Sequence, residues 1–191
     1  VDLEQNSDPS KKADLILVTH SHSDHCDPAK IEKFRKKGAL VMAPEDCASE
    51  INGGFKKLKP GEVAIVDNIK VEALHAYNIK RFRSSGIPYH PKGYGVGYLI
   101  IIDGKRIYHA GDSDFIPEMK KVGPVDVALL PIGNTYTMNV AEAAEAAIAI
   151  QPRIVIPMHR LNANPEDFKK RVEGHAGIRV ALLQEGEEIQ L

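Results

Sequence analysis

Residues 15–28 read LILVTHSHSDHCDP. An apolar run from Leu15 to Val18 passes through Thr19 directly into His20, His22, Asp24 and His25. Imidazole nitrogen and carboxylate oxygen are the usual protein ligands of zinc and other divalent transition ions. Side chains of extended chain alternate with a period of two, so His20 and His22 point to the same side. Asp24 and His25 follow where the chain turns, approach from another direction, and can hold a second ion. By chance the spacing H-x-H-x-D-H arises in fewer than about one in a thousand chains of this length. A solvated polar loop is the competing reading of the same residues.

Working outward, the 191 residues suffice for one globular domain over 1–191 with a sizeable core. A net charge of −1 gives no global electrostatic case for nucleic acid or a membrane surface, so partners must be argued from the site. Cys26 and Cys47 form no CxxC pair and are too few for a disulfide framework, which points to a reducing cytoplasm. Apolar runs such as VGYLIII (96–102) are far shorter than the roughly 20 residues that cross a membrane, and no charged-then-apolar leader opens the chain. The expectation is a cytoplasmic protein with no membrane partner.

Strands and helices interleave without a repeat. The periodicity predicts a strand over 14–19, then a helix PAKIEKFRKKG that Pro28 starts and Gly38 stops, then a strand ALVMAP. Two hairpins follow, across Asp67-Asn68 and Asp103-Gly104. Beyond residue 112 helix and strand alternate: a short helix near IPEMKKV, strand VDVALLPIG, helix VAEAAEAAIAI, strand RIVIPMH, helix PEDFKKRVEG and strand IRVALL. The alanines of the middle helix suggest close packing on a sheet rather than a ligand site. Mixed sheets flanked by helices, an α+β class, are the expected result.

One six-residue loop cannot encircle two ions, so remote ligands are needed. Strand ends supply them: His75 in VEALHAYN, Asp112 in YHAGDSD and His159 in VIPMHR. With THSHSDH, HAGDS, ALLPIG followed by TYTM, and VIPMH in this order, the chain from about residue 13 onward resembles the metallo-β-lactamase-fold hydrolases. It is most similar to the uncharacterised metal-dependent hydrolases that group with the ascorbate-phosphate lactonases. The resemblance implies an αββα sandwich in which His20, His22 and His75 hold a first metal. Asp24, His25 and His159 would hold a second, and Asp112 would bridge the two. Family members usually begin with two or three further strands, which the opening VDLEQNSDPSKKAD lacks. Either those strands are missing from the sequence in hand, or the sheet is trimmed and its edge is covered by another copy in a homo-oligomer.

Two cations about 3.5–4 Å apart share a water and lower its pKa toward neutrality, giving a hydroxide nucleophile for hydrolysis. Asp24 would orient that nucleophile while serving as a ligand. The all-nitrogen-and-oxygen donor set suits zinc first, and manganese, iron or nickel as well. His109 reads as a group that fixes a ligand by hydrogen bonding, and His175 as a helix-end or surface residue. His90 could touch substrate or face solvent. From Ala73 to Ile102 the chain has no acidic residue but carries Lys80, Arg81, Arg83 and Lys92, a pattern that would draw an anionic small molecule. Asn134, Thr135, Tyr136 and Thr137 could add neutral hydrogen-bond groups or form an ordinary polar turn. The leading function is therefore metal-dependent hydrolysis of a small anionic ester, lactone or phosphodiester. A nuclease of the same fold and a non-catalytic metal-binding module stand beside it. A redox diiron role is weaker, because His22 stands where the flavin-coupled relatives typically carry Glu.

Overall fold

A computed structural model describes residues 12–51, 55–175, 177–184 and 186–191. Residues 1–11 of the opening segment, on which the expectation of missing first strands falls, lie outside the described residues. The elements run β1 (Ala13–Leu17), α1 (Pro28–Phe34), β2 (Arg35–Ala43), β3 (Lys56–Lys57), β4 (Val63–Val66), β5 (Ile69–Ala76), β6 (Phe82–Ser84), β7 (Ile87–Pro88) and β8 (Gly95–Ile102). They continue with β9 (Lys105–His109), β10 (Val127–Pro131), α2 (Val140–Ile150), β11 (Ile154–Met158), α3 (Pro165–Val172) and β12 (Arg179–Val180). Strands β1-β2-β3 form a parallel sheet of three, and β12-β11-β10-β9-β8-β5-β4 a mixed sheet of seven. In the larger sheet β4, β5, β8 and β9 pair antiparallel, while β9 to β12 pair parallel.

Alternation along the strands builds the layers. Leu15, Leu17, Leu40 and Met42 turn inward and pack between the sheets with Val71, Ala73, Val96 and Tyr98 of the larger one. The intervening Ile16, Val18, Val41 and Ala43 turn outward and pack with Ile31 of α1. On the far side of the larger sheet, Tyr108, Ala128, Leu130 and Val155 meet Ala143, Ala144, Ala146 and Ala147 of α2, and Phe168 and Val172 of α3. The result is the αββα sandwich. Tyr98 Oη crosses the seam to donate to the Val18 carbonyl at 2.6 Å.

Local departures from the sequence reading have local causes. Helix α1 stops at Phe34 because Arg35 is already extended (φ −71°, ψ 129°) and pairs with Ala13. Gly38, with φ +85°, therefore lies within β2 rather than ending the helix. The segment Pro117–Lys121 is a 3₁₀ helix, and the last strand pairs only over Arg179–Val180. The hairpins turn where Asp67, Asp103 and Gly104 take positive φ. The small β6–β7 hairpin inside the basic stretch, which turns at Ser85-Gly86 with φ +75° at Gly86, was not among the expected elements. Among the described residues no helix is long and apolar enough to cross a membrane.

Candidate metal centre

The histidine loop leaves β1 under tight backbone control. Val18 N donates to Met42 O at 2.9 Å, and Val96 N donates to Thr19 O at 2.8 Å, so the loop is held by both sheets. Gly95 permits this closeness, since a Cβ there would lie 2.9 Å from His20 Cβ and 3.0 Å from the Thr19 carbonyl. The turn closes through His25 N and Cys26 N, which both donate to His22 O. Ser21 N donates to Asp46 Oδ2 at 2.9 Å, and Asp27 then caps α1. The remote members follow the C-terminal ends of parallel strands: Asp112 after β9 and His159 after β11. Gly133 sits so near that a Cβ would lie 2.5 Å from the His159 carbonyl.

These segments converge in three groups of donor atoms: His20, His22 and His90; His20, His25 and Asp112; and Asp24, His25 and His159. His22 Nδ1 is 3.1 Å from His20 Nε2 and 3.2 Å from His90 Nε2. Asp112 Oδ2 lies 3.7, 3.6 and 3.4 Å from Nε2 of His25, His90 and His159, in the middle of the cluster. His25 Nε2 also approaches Asp24 Oδ2 at 3.3 Å, and the His25 and His159 rings lie nearly parallel.

His75 departs from the expected set. It belongs to none of the three groups, and His90 stands with His20 and His22 instead. The reason is register: β5 continues through Ala76, and His75 is still paired with Val96 inside the sheet. Its Nδ1 is buried without a hydrogen-bond partner. His90 reaches the site because β5 and β8 are antiparallel neighbours, so the residues before β8 arrive at the same sheet edge where β5 ends. That pairing, together with Asn78 just past β5, was the usable sequence signal.

The donor chemistry fits cations. Asn78 Oδ1 accepts from both the His90 backbone amide and Nδ1, each at 2.8 Å, so the His90 Nε2 lone pair faces the cluster. Burial, reinforced by the neighbouring imidazoles, pushes His90 down to about 3 and His20 well below the usual histidine range, so both rings are neutral. His20 Nε2 and His90 Nε2 both crowd within 3.1–3.2 Å of His22 Nδ1, a set of ring nitrogens that a divalent ion can satisfy together. Asp24, bonded to His25, is held at about 2 and is ionised. Replacing Asn78 with Ala frees the His90 tautomer and is expected to weaken ion binding about 10–100-fold, read by competition with a chelator.

The other candidates fall at different distances from this cluster. His109 Nδ1 accepts from Gly111 N at 3.1 Å, bracing the turn that delivers Asp112. Thr137 is fully buried with Oγ1 unpartnered, between Tyr136, whose carbonyl accepts from Asn78 Nδ2, and Met138, whose amide donates to Ser113 O. His175 is exposed beyond α3. Most of the basic stretch is neutralised. Lys92 pairs with Glu118 at 2.8 Å and Lys80 with Glu142 at 2.8 Å. Arg81 is buried against Asp114 at 2.9 Å and against Glu142. These three cations serve the fold.

A sandwich of this topology with imidazoles and carboxylates gathered at one sheet edge defines a metal-dependent hydrolase class, and comparison agrees. The model of a β-lactamase superfamily domain matches residues 3–159. A UPF0173 metal-dependent hydrolase of Pyrococcus abyssi is 40% identical over 95% of this chain and 83% of its own length. One from Methanosarcina mazei is 34% identical over 93% and 81%. A metallo hydrolase of the archaeon Ignicoccus hospitalis superposes with a TM-score of 0.73 at 30% identity, covering 92% of this chain and 78% of that one. The chain belongs to the UPF0173 metal-dependent hydrolases of the β-lactamase superfamily.

Proposed function

We propose that the centre holds two divalent ions, zinc first among them, and hydrolyses a small anionic ester, lactone or phosphodiester. His20, His22 and His90 would hold one ion, Asp24, His25 and His159 the other, with Asp112 between. The observation that carries this reading is the central position of Asp112 Oδ2, within 3.4–3.7 Å of three imidazoles from three separate segments. When bound, such a pair of ions supplies Lewis acidity and lowers the pKa of water toward neutrality. The protein's own part is placement. Asn78 fixes the tautomer of His90, and Thr19 Oγ1 lies 3.0 Å from His20 Nδ1. Asp24 keeps an ionised, largely exposed carboxylate beside the cluster, where an oxygen can hold a proton of the attacking water.

The test is metal analysis of protein purified without chelator, followed by a bis-aryl phosphodiester, a lactone, a thioester and a β-lactam. Two ions per chain and turnover of at least one substrate, lost in His22→Ala, are expected. Undiminished turnover in that variant would refute the assignment. Metal-dependent cutting of RNA without small-ester turnover would favour a nuclease.

A further inference from the structure

Ser21 is the one residue between His20 and His22, and both halves of the sandwich grip it. From the smaller sheet comes Asp46, on the 3₁₀ turn Glu45–Cys47 that follows β2. Its Oδ2 accepts from Ser21 N at 2.9 Å. From the larger sheet comes Tyr94, the residue before β8, whose Oη lies 2.8 Å from Ser21 Oγ. The two ties cross 25 and 73 residues of sequence.

Each tie starts from a fixed point. Cys47, next to Asp46, is fully buried in the cluster that also holds Val18 and Cys26, on either side of the histidine loop. Cys47 N donates to Pro44 O and Ile51 N to Cys47 O, so the turn is pinned through its backbone as well. On the other side, Tyr94 N donates to Pro91 O at 3.0 Å, and Gly95, which packs against His20, follows at once. The Tyr94 ring centroid lies 5.5, 6.1 and 6.3 Å from those of His22, His20 and His90. One side chain thus reaches Ser21 and stands beside all three imidazoles. Asp46 Oδ1 is buried with no hydrogen-bond partner, a penalty to the fold that needs a reason elsewhere.

The structure assigns Asp46 and Tyr94 as positioning residues of the group His20, His22 and His90, acting together through Ser21 to hold His20 Nε2 and His22 Nδ1 at their 3.1 Å separation. This rests on the reading of those three imidazoles as the ligands of one ion. Asp46 belongs to none of the donor groups, so its part is indirect. The two residues fix the peptide that sets one imidazole against the other, and ligands already in place lose less freedom when an ion arrives. The second group is held by other means: His25 N donates to His22 O, and His159 comes from the end of β11. The first ion should therefore feel the loss of either tie most.

The experiment titrates cobalt(II) into the metal-free full chain in competition with a chelator, for the parent and for Asp46→Ala, Asp46→Asn and Tyr94→Phe, with urea denaturation of each metal-free protein. The affinity expected to fall is that of the ion also lost in His90→Ala, about 10–100-fold in Asp46→Ala and about tenfold in Tyr94→Phe, while the other ion stays within about twofold. Asp46→Asn keeps an acceptor for the Ser21 amide and should recover most of the loss. A merely structural role would lower urea stability and weaken both ions alike, with no recovery in Asp46→Asn. That result overturns the assignment, as does parent-like affinity in every variant. A parent that takes up no cobalt overturns the metal reading, and this assignment with it. Should Asp46→Ala not fold, Tyr94→Phe, which removes a single hydroxyl, decides.

Discussion

If the centre holds two ions as proposed, His90→Ala is expected to leave one per chain, and to cut turnover by more than the 10–100-fold that loss of a mere supporting group costs. The variant deletes the Nε2 that faces His22 Nδ1 at 3.2 Å and Asp112 Oδ2 at 3.6 Å. His75→Ala, made in parallel, is expected to keep both ions, because His75 lies in the sheet and outside every donor group. Metal analysis with far-UV circular dichroism separates ligand loss from misfolding. The reverse pattern, with the ion lost in His75→Ala and kept in His90→Ala, would contradict the geometry.

Arg81→Leu is expected to produce the largest loss of stability, about 3–5 kcal/mol, read by urea denaturation at neutral pH. The Arg81 side chain is only 9% exposed and joins the Asp114 carboxylate, which is 1% exposed, to Glu142. Its Nε and Nη2 also reach the backbone and side chain of Asn134, at 3.0 and 3.2 Å. Removing the cation leaves two carboxylates buried without their main partner. Burial alone would raise Glu142, but the bonds from Arg81 and Lys80 outweigh it and hold the carboxyl at about 2, below its ordinary value near 4.5. In the parent, the stabilisation from this group is full above about pH 4.5 and is lost as pH falls toward 2. In Arg81→Leu the Glu142 carboxyl keeps Lys80 and the Asn139 amide but loses both contributions of Arg81, so burial lifts it above its value in the parent. The gap between variant and parent should therefore be widest at neutral pH and narrow on acidification. A gap that does not depend on pH would mean the loss is one of packing rather than charge.

These two sites also mark what could be read in advance. The loop His20–His25 and the strand-end positions of Asp112 and His159 were legible because they depend on local period: an apolar strand, then a donor at the sheet edge. His90 was not, because choosing between it and His75 requires knowing that β5 and β8 pair and how far β5 runs. The ion pairs of the basic stretch were hidden for a similar reason. Its partners lie 33 residues away for Arg81 with Asp114, 62 for Lys80 with Glu142 and 26 for Lys92 with Glu118, separations at which charge pattern carries no pairing information. The layer order followed from alternation, whereas the bulge between Phe82 and Ser84 left no trace in composition.

The donor residues come from opposite halves of the sandwich: four from the loop after β1, and Asp112, His90 and His159 from the larger sheet's edge. Ions seated there would act as a rivet across the seam, tying chemistry and architecture to the same few side chains. Such a clasp resists change. The hairpin above it, rooted in that rivet but free of the core, is where new appetites could evolve without loosening the joint.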